Sequence, residues 1–196
     1  MARNDEPPEP SPSGALVPAP GAALPAAHTT RLAGWGANVR AECVLYEPGT
    51  PADVPFGLDP AGTIARGLGR SYGDAAINSG RRVLGMRRLD QVLAFDPATG
   101  VVTCEAGTSL GALIQRFTPG SWFPMITPGT RFVTVGGCIS NDVHGKAHHT
   151  QGTINTCVDS ITVLLASGYV VTASRPAPAD LFWGSVGGMG LLGVIL

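Results

Sequence analysis

Short apolar stretches separated by turn-forming residues run along most of this chain, and the pattern predicts strands and short helices. Thr63-Ile64-Ala65 predicts a buried strand that runs directly into a glycine-rich turn. Residues 91–95 and 101–105 flank the turn sequence Asp96-Pro97-Ala98-Thr99-Gly100, which indicates a β-hairpin. Ser109 follows this hairpin and is placed to cap a short helix that ends near residue 117.

A second unit repeats this arrangement later in the chain. Residues 160–166 and 169–173 flank Ser167-Gly168, and a helix is expected to begin at Asp180. Two hairpins, each followed by a helical segment, indicate a mixed sheet with helices packed against it. The predicted fold class is therefore α+β rather than a doubly wound parallel fold.

The N-terminal residues 1–28 are dominated by proline, alanine and small polar residues, a composition that predicts a disordered tail. Folding is expected to begin near Arg31, where Leu32-Ala33-Gly34-Trp35-Gly36 predicts a tight turn around one large aromatic anchor. Prolines at 48, 51, 55 and 60 exclude a long helix in that region. We therefore predict a tail over residues 1–30 and a folded domain over residues 31–196.

Composition narrows the class of protein. The chain has 196 residues, and its 44% of hydrophobic residues can form a real core. A net charge of −1 with 14% charged residues does not provide the positive potential that attracts a phosphate backbone, so nucleic acid is an unexpected partner. Four separated cysteines without a C-x-x-C pair indicate reduced thiols. With no signal peptide and no membrane-spanning run, this favours a cytoplasmic location.

The turn after the strand at Thr63 carries three glycines and two arginines close together. Backbone N–H groups in such a turn form a nest for an anion, and pyrophosphate is the natural ligand. The spacing is G-x-G-x-x-x-G, one residue longer than the dinucleotide-binding fingerprint, so a Rossmann loop is not predicted. A structural turn is the alternative, but Arg66 and Arg70, with Ser71 and Asp74, favour phosphate binding.

A polar, glycine-bearing segment at residues 128–152 is the strongest candidate for chemistry. It has too little apolar periodicity for a core helix, and Gly136 and Gly137 would let the backbone approach a ligand closely. Donors, acceptors and charges around that ligand would come from the five polar side chains Asp142, His144, Lys146, His148 and His149.

A metal site is a rival interpretation of the same segment, because His144, His148 and His149 form H-x-x-x-H-H. Gly145 and the preceding glycines argue against the helix that would align two of these histidines, and no separate carboxylate or cysteine ligand is evident.

The last residues contain Gly188-Met189-Gly190-Leu191-Leu192-Gly193, which matches G-x-G-x-x-G. We do not interpret it as a Rossmann fingerprint, because the sequence stops before the helix, second strand and acidic residue that the motif requires. The final apolar run is expected to begin another strand, and its ending there suggests a fragment of a longer protein.

Three motifs together resemble a known family. They are IARGLGRSYGD, PGTRFVTVGGCISNDVHGKAHH and DLFWGSVGGMGLLGVI, which occur with LAGWG in the expected order. This set closely resembles the FAD-binding domain of the decaprenylphosphoryl-β-D-ribose oxidases, within the vanillyl-alcohol-oxidase (PCMH) type of FAD-linked oxidoreductases. The resemblance spans residues 31–196.

The resemblance implies non-covalent FAD held between two α+β subdomains. Arg70 stands where some relatives carry a histidine that bonds to the flavin, so we predict dissociable FAD. His144 would donate a hydrogen bond to the flavin and Lys146 would contact the substrate, and both are assigned as catalytic. The implied cofactor-binding residues are Ala65, Arg66, Gly67, Leu68, Gly69, Arg70, Ser71, Tyr72, Gly73, Asp74, Ala75, Gly129, Thr134, Val135, Gly136, Gly137, Asn141, Asp142, Val143, His144 and Ile195.

The implied reaction is hydride transfer to flavin from the C2 hydroxyl of a polyprenyl-phosphate-linked ribose, or from another sugar or alditol. A short-chain reductase partner would complete an epimerisation, and a lipid-linked substrate would bring the protein to the inner membrane surface. The family's substrate-binding domain is missing from the sequence. A truncated, non-catalytic FAD-binding remnant or partner subunit is therefore the alternative.

Overall fold

Nine strands and four helices form the part of the chain that the structure describes. The structure is a computed structural model that describes residues 26–54 and 62–196. The strands are β1 (Ala27–Ala33), β2 (Arg40–Tyr46), β3 (Thr63–Arg66), β4 (Arg82–Gly85), β5 (Val92–Phe95), β6 (Val102–Cys104), β7 (Ser160–Leu164), β8 (Val170–Ser174) and β9 (Val194–Ile195). The helices are α1 (Leu110–Phe117), α2 (Val135–Ser140), α3 (His148–Gln151) and α4 (Ala179–Ser185).

The described strands form three sheets. The first has the order β1-β2-β4-β3, with β1 antiparallel to β2 and the other two neighbouring pairs parallel. The second is the antiparallel hairpin β5-β6, and the third is the antiparallel set β8-β7-β9. The α+β prediction is confirmed. The two predicted hairpins, however, lie in different sheets, and the mixed sheet is built from the earlier strands β1 to β4.

Local sequence signals explain most of these elements. The Asp96 carboxylate accepts hydrogen bonds from the Ala98 amide and the Thr99 hydroxyl, which closes the β5-β6 turn. The Ser109 hydroxyl accepts from the Ala112 amide at 3.0 Å and caps α1 as predicted. The predicted strand at Thr63, the second hairpin and the strand near the last residue are likewise confirmed.

The start of the fold lies earlier than predicted. Strand β1 begins at Ala27, so residues 27–30 belong to the first sheet and not to a tail. Residues 27–30 are held in a strand because β1 pairs with the whole length of β2. Their own composition does not indicate a strand. The rest of the predicted tail, with Pro55 and Pro60, lies outside the described residues.

Three buried clusters hold the sheets together. The largest joins α1 and α2 to β7 and to Phe182 of α4. A second joins Leu84 of β4 to Leu164 of β7 and Val194 of β9, and so connects the first sheet to the third. The third lies within the first sheet around Cys43, Ile64 and Val83. Because β3 and α2 are fixed by separate parts of this core, the turns attached to them are held at defined positions.

Candidate functional site

The turn that follows β3 is tied to its surroundings by Arg66. This half-buried guanidinium donates to the carbonyl oxygen of Ala33 at 2.7 Å and to that of Ala76 at 3.0 Å. Burial lowers the pKa of Arg66, and the neighbouring Arg87 and Arg70 lower it further. In the structure the Arg66 side chain holds the turn against β1, and phosphate binding by Arg66 stays a prediction.

The backbone of the same turn carries the anion-binding feature. Within the described residues, no acceptor takes the amide hydrogens of residues 68–71. Gly69 has a φ of 67°, in the left-handed region that favours glycine. Successive amides left available around such a residue form an anion nest. The geometry therefore suits the phosphate ligand predicted for this turn.

Trp35 does not act as a buried anchor. Its side chain is 56% exposed, while its backbone amide donates to the Ser71 carbonyl at 2.8 Å. The Arg70 guanidinium lies over its ring, 5.2 Å from the centroid. The prediction of a turn at this place is confirmed by the Ala37 amide, which bonds the Gly34 carbonyl. Trp35 and Arg70 instead form an exposed stack beside the glycine turn.

The second glycine-bearing segment folds differently from its prediction. Residues 135–140 form the short helix α2, with Gly136, Cys138 and Ile139 buried. The Thr134 hydroxyl accepts from the Gly137 amide at 3.2 Å and caps the helix. Gly136 is packed so closely that a Cβ there would lie 2.8 Å from Cβ of Ala106. Gly136 and Gly137 obscure the helical pattern in the sequence, yet Gly136 is what lets α2 pack against Ala106.

The two glycine turns meet in one cleft. A Cβ placed on Gly67 would lie 2.2 Å from the Thr134 hydroxyl oxygen, so the Gly67 backbone lies directly against the Thr134 side chain. Residues from both turns, and from three further segments, face this space. Its lining is Ala65, Gly67, Ser71, Ala75, Ala76, Met86, Ala106, Thr134, Gly136, Gly137, Ser140, Asn141, Met189, Gly190, Gly193 and Ile195.

Sequence reasoning missed part of this lining. Residues 188–193 were set aside as a false fingerprint, but Met189, Gly190 and Gly193 border the cleft. Hydrogen bonds from the Gly187 amide to Ile139 O and from the Met189 amide to Ser140 O attach this segment to the end of α2. Its three closely spaced glycines were the available signal. They permit close backbone approach without any Rossmann unit.

Nine residues predicted to bind the cofactor line the cleft, and the others lie beside it or beyond it. The nine are Ala65, Gly67, Ser71, Ala75, Thr134, Gly136, Gly137, Asn141 and Ile195. The predicted cofactor-binding residues outside the lining are Arg66, Leu68, Gly69, Arg70, Tyr72, Gly73, Asp74, Gly129, Val135, Asp142, Val143 and His144, and the predicted catalytic Lys146 also lies outside it.

The histidines lie on an exposed loop after α2. His144 and His148 both point Nδ1 towards the carbonyl oxygen of Gly145, at 3.4 Å and 3.2 Å. His148 and His149 begin the one-turn helix α3, which the sequence did not predict. Among the described residues, no group of three histidine, cysteine or acidic side chains could hold a metal ion. The structure therefore gives no support to the metal-site interpretation.

The family follows from comparison with known proteins. A family model described as an FAD binding domain matches residues 60–174. This is more than half of the chain, and it includes both glycine turns.

The chain belongs to the FAD binding domain family. Its cofactor is FAD, as the sequence predicted. The decaprenylphosphoryl-beta-D-ribose oxidase of Mycolicibacterium smegmatis is 42% identical over 176 residues, which is 86% of this chain and 38% of that oxidase. The glucooligosaccharide oxidase of Sarocladium strictum is 32% identical over 74% of this chain and 29% of its own length. The L-gulonolactone oxidase of Mus musculus is 33% identical over 66% of this chain and 29% of its own length.

These comparisons cover only part of each relative, since the chain spans less than two fifths of the length of the three named oxidases. None of the described helices is long and apolar enough to cross a membrane.

The cleft fits a flavin nucleotide in its chemistry. The amides of residues 68–71, beside the cleft, donate to no acceptor among the described residues and suit a pyrophosphate. Small residues line most of the cleft walls. A Cβ on Gly67 would clash with Thr134, and one on Gly136 would clash with Ala106. Backbone amides and small residues would thus hold FAD, with few charged side chains involved.

Proposed function

We propose that this chain supplies the FAD-binding part of an oxidoreductase that acts on a sugar hydroxyl. The proposal rests on one observation: the turn after β3 and the start of helix α2 at Thr134 border the same cleft. The C2 hydroxyl of a polyprenyl-phosphate-linked ribose is the proposed site of oxidation. Support comes from the 42% identity to an oxidase whose name describes such a compound, and from the sugar and lactone oxidases among the relatives.

The chemistry requires one group to accept hydride and others to control charge. Bound FAD supplies the hydride acceptor, and the alcohol proton leaves to a base. His144 is proposed to donate a hydrogen bond towards the flavin, and Lys146 to contact the substrate phosphate. Both side chains are exposed on the loop that follows Asn141, a residue of the cleft wall, so both remain available to a ligand.

A lipid-linked substrate has consequences for location and partners. A polyprenyl chain would bring the protein to a bilayer surface without a membrane-spanning helix. Oxidation at C2 gives a keto sugar, and a short-chain reductase is the proposed partner that reduces it. These two statements depend on the substrate assignment alone.

The first test concerns how FAD is held. Purified chain reconstituted with FAD should show the flavin absorption bands, and acid precipitation should release all flavin into the supernatant, because Arg70 cannot form a bond to it. Flavin that remains with the precipitated protein would contradict the non-covalent assignment. Absence of any bound flavin would overturn the proposed function itself.

A second candidate is an FAD-binding subunit without catalysis of its own. It is favoured by the positions of His144 and Lys146, which do not line the cleft in the described residues. Turnover of a polyprenyl-phosphoryl ribose with an electron-accepting dye separates the two. Turnover that is lost in His144→Ala supports the oxidoreductase, whereas bound FAD with no turnover supports the binding subunit.

A further inference from the structure

The loop that carries His144 and Lys146 is closed at its base by paired bonds. The Ile154 amide donates to the Val143 carbonyl at 2.8 Å, and His144 pairs with Thr153 as an isolated antiparallel bridge. The ends of the loop are thus held side by side. Exposed loops of this length owe their conformation to such closing contacts.

Asp142 lies at this base, and its carboxylate is directed at Asn155. One carboxylate oxygen accepts from the Asn155 amide at 3.3 Å and from its side-chain Nδ2 at 3.1 Å, and the other oxygen accepts from Nδ2 at 3.2 Å. Asn155 Nδ2 also donates to the Thr153 hydroxyl. Charge-assisted bonds of this kind are stronger than those between neutral groups. We call this set, Asp142 with Thr153 and Asn155, the Asp142 latch.

The backbone at Asp142 explains why this residue type occurs here. Its φ is 40°, in the left-handed region that aspartate and asparagine adopt more readily than other side chains. This conformation ends α2 and reverses the chain towards His144. The opposite side is occupied by Gly187, where a Cβ would lie 3.5 Å from the Asp142 Cβ. Asp142 is therefore held between the cleft wall and the loop without lining the cleft.

Asn155 is itself anchored from the other side. The Arg175 guanidinium donates to the Asn155 carbonyl oxygen and lies over the rings of Phe182 and Trp183, 5.9 Å and 5.4 Å from their centroids. Phe182 is fully buried in α4. The latch thus connects the exposed loop to the main core, which gives it a rigid support.

We propose that Asp142 is a positioning residue that acts through Asn155 to fix the His144 loop beside the cleft, and that it touches neither FAD nor substrate. This differs from the sequence prediction, which placed Asp142 among the cofactor-binding residues. The role at the flavin rests on the proposed function. The latch itself rests only on the contacts described above.

Hydrogen–deuterium exchange tests the latch directly. Asp142→Ala and Asn155→Ala should each speed exchange in peptides covering residues 143–155 by about tenfold, the loss expected for a charge-assisted hydrogen bond. The double variant should exchange no faster than the faster single variant, because both remove the same contact. Peptides from β7 and β8 should not change. The exposed carboxylate of Asp159 provides the matched control, Asp159→Asn, which should leave the loop unchanged.

Exchanging the two partners provides a rescue. In Asp142→Asn/Asn155→Asp the donor and acceptor side chains change places, and asparagine keeps the tolerance for a positive φ. We expect exchange in the loop to return most of the way to the wild-type rate. If Asp142→Ala fails to fold, as judged by circular dichroism, the swap and Asn155→Ala still decide. Unchanged exchange in Asn155→Ala, or no rescue, would overturn the latch.

The flavin spectrum separates positioning from direct binding. With FAD bound, Asp142→Ala should shift the visible absorption band in the same direction as His144→Ala, while the Kd for FAD stays within about threefold of wild type. Loss of FAD affinity in Asp142→Ala but not in Asn155→Ala would make Asp142 a direct ligand and overturn the proposal. Failure of the wild-type chain to bind FAD would instead overturn the proposed function and the role of the latch at the flavin.

Discussion

Gly67 and Thr134 lie in close contact where the turn after β3 meets the start of α2. The Thr134 hydroxyl is buried and already accepts the Gly137 amide, so it cannot rotate away without uncapping α2. Any side chain at position 67 would therefore meet an atom that is fixed in place. The pairing of glycine with a capping threonine sets the width of the cleft.

Replacing Gly67 by alanine should reduce both stability and FAD binding. The new Cβ would lie 2.2 Å from the Thr134 hydroxyl oxygen and 3.2 Å from its Cβ. Overpacking of this kind typically costs about 1–3 kcal/mol in the free energy of unfolding. Urea denaturation measures that cost, and fluorescence titration with FAD measures affinity.

The control for this prediction is Gly120→Ala. A Cβ there would meet only a side-chain carbon of Trp122, at 3.8 Å, and the residue lies outside the cleft. The penalty of Gly67→Ala should also be smaller in a Thr134→Ala background, where the clashing hydroxyl is gone. A Gly67→Ala protein as stable as Gly120→Ala would contradict the packing described here.

Cys138 provides a test that depends on pH. Burial, and then the nearby Cys157, raise the pKa of the Cys138 thiol to about 12. An unfolded cysteine has a pKa of roughly 8.5. The folded state therefore binds the proton more tightly. The stability due to this group should be complete below about pH 8.5 and should decline as the pH rises towards 12.

Thiol labelling measures this difference at a single residue. Iodoacetamide at pH 8 should modify the exposed Cys157 well before the buried Cys138. Partial desolvation of the Cys157 thiol also raises its pKa. Cys138 should react only after the protein is unfolded in urea. Rapid modification of Cys138 in the folded protein would show that the α2 core is more open than described.

At the level of elements, the Arg66 side chain ties the loop between β3 and β4 to strand β1. The Arg66 guanidinium donates to the carbonyl oxygen of Ala33 in β1 and to that of Ala76 within the loop. A lysine in its place has one ammonium group and cannot span both carbonyls with the same geometry. The glycine turn should therefore loosen when Arg66 is changed.

Arg66→Ala should lower the free energy of unfolding by about 1.5–3 kcal/mol, the range for hydrogen bonds to a charged group. FAD binding should weaken at the same time, because the amides of residues 68–71 lose their fixed arrangement. Arg66→Lys should recover only part of either loss. Arg116→Ala, on the exposed side of α1, should change stability by less than about 0.5 kcal/mol. Equal stability of Arg66→Ala and Arg116→Ala would contradict this role.

The sequence predicted elements best where the signal is local. Asp96 and Ser109 fix their turn and helix start through bonds to residues two or three positions away, and both elements were found as predicted. Helix α2 was missed because Gly136 and Gly137 have low helix propensity, and only the structure shows that Gly136 packs against Ala106 and Gly137 lies against the capping Thr134 hydroxyl. The first residues of β1 were predicted as tail because the strand is stabilised by pairing with β2 and not by a local signal.

The site shows the same limit. Close backbone approach could be inferred from the glycines, and the family resemblance then placed residues of both glycine-bearing segments in one site. The direction of a side chain could not be inferred: Arg66 and Asp142 were assigned to the cofactor, and nothing in the sequence indicated their bonds to Ala33 and Asn155. The contribution of residues 189–193 required the contact between Met189 and the end of α2, which joins segments distant in sequence.

At the scale of the whole molecule, the described core explains why two turns far apart in sequence meet. Leu84 joins the first sheet to β7 and β9, while Ile139 joins α2 to the largest cluster. The packed core thus holds the turn after β3 and the start of α2 on either side of the cleft. Binding of one flavin nucleotide should therefore involve both turns in a single event.

Amide chemical shifts followed by NMR during a titration with FAD test this central claim most directly. We predict that signals from residues 67–71 and from residues 134–137 shift together and follow one Kd, while those of the β5-β6 turn do not move. Perturbation of only one of the two turns, or two separate affinities, would contradict the single cleft on which the assignment of function rests.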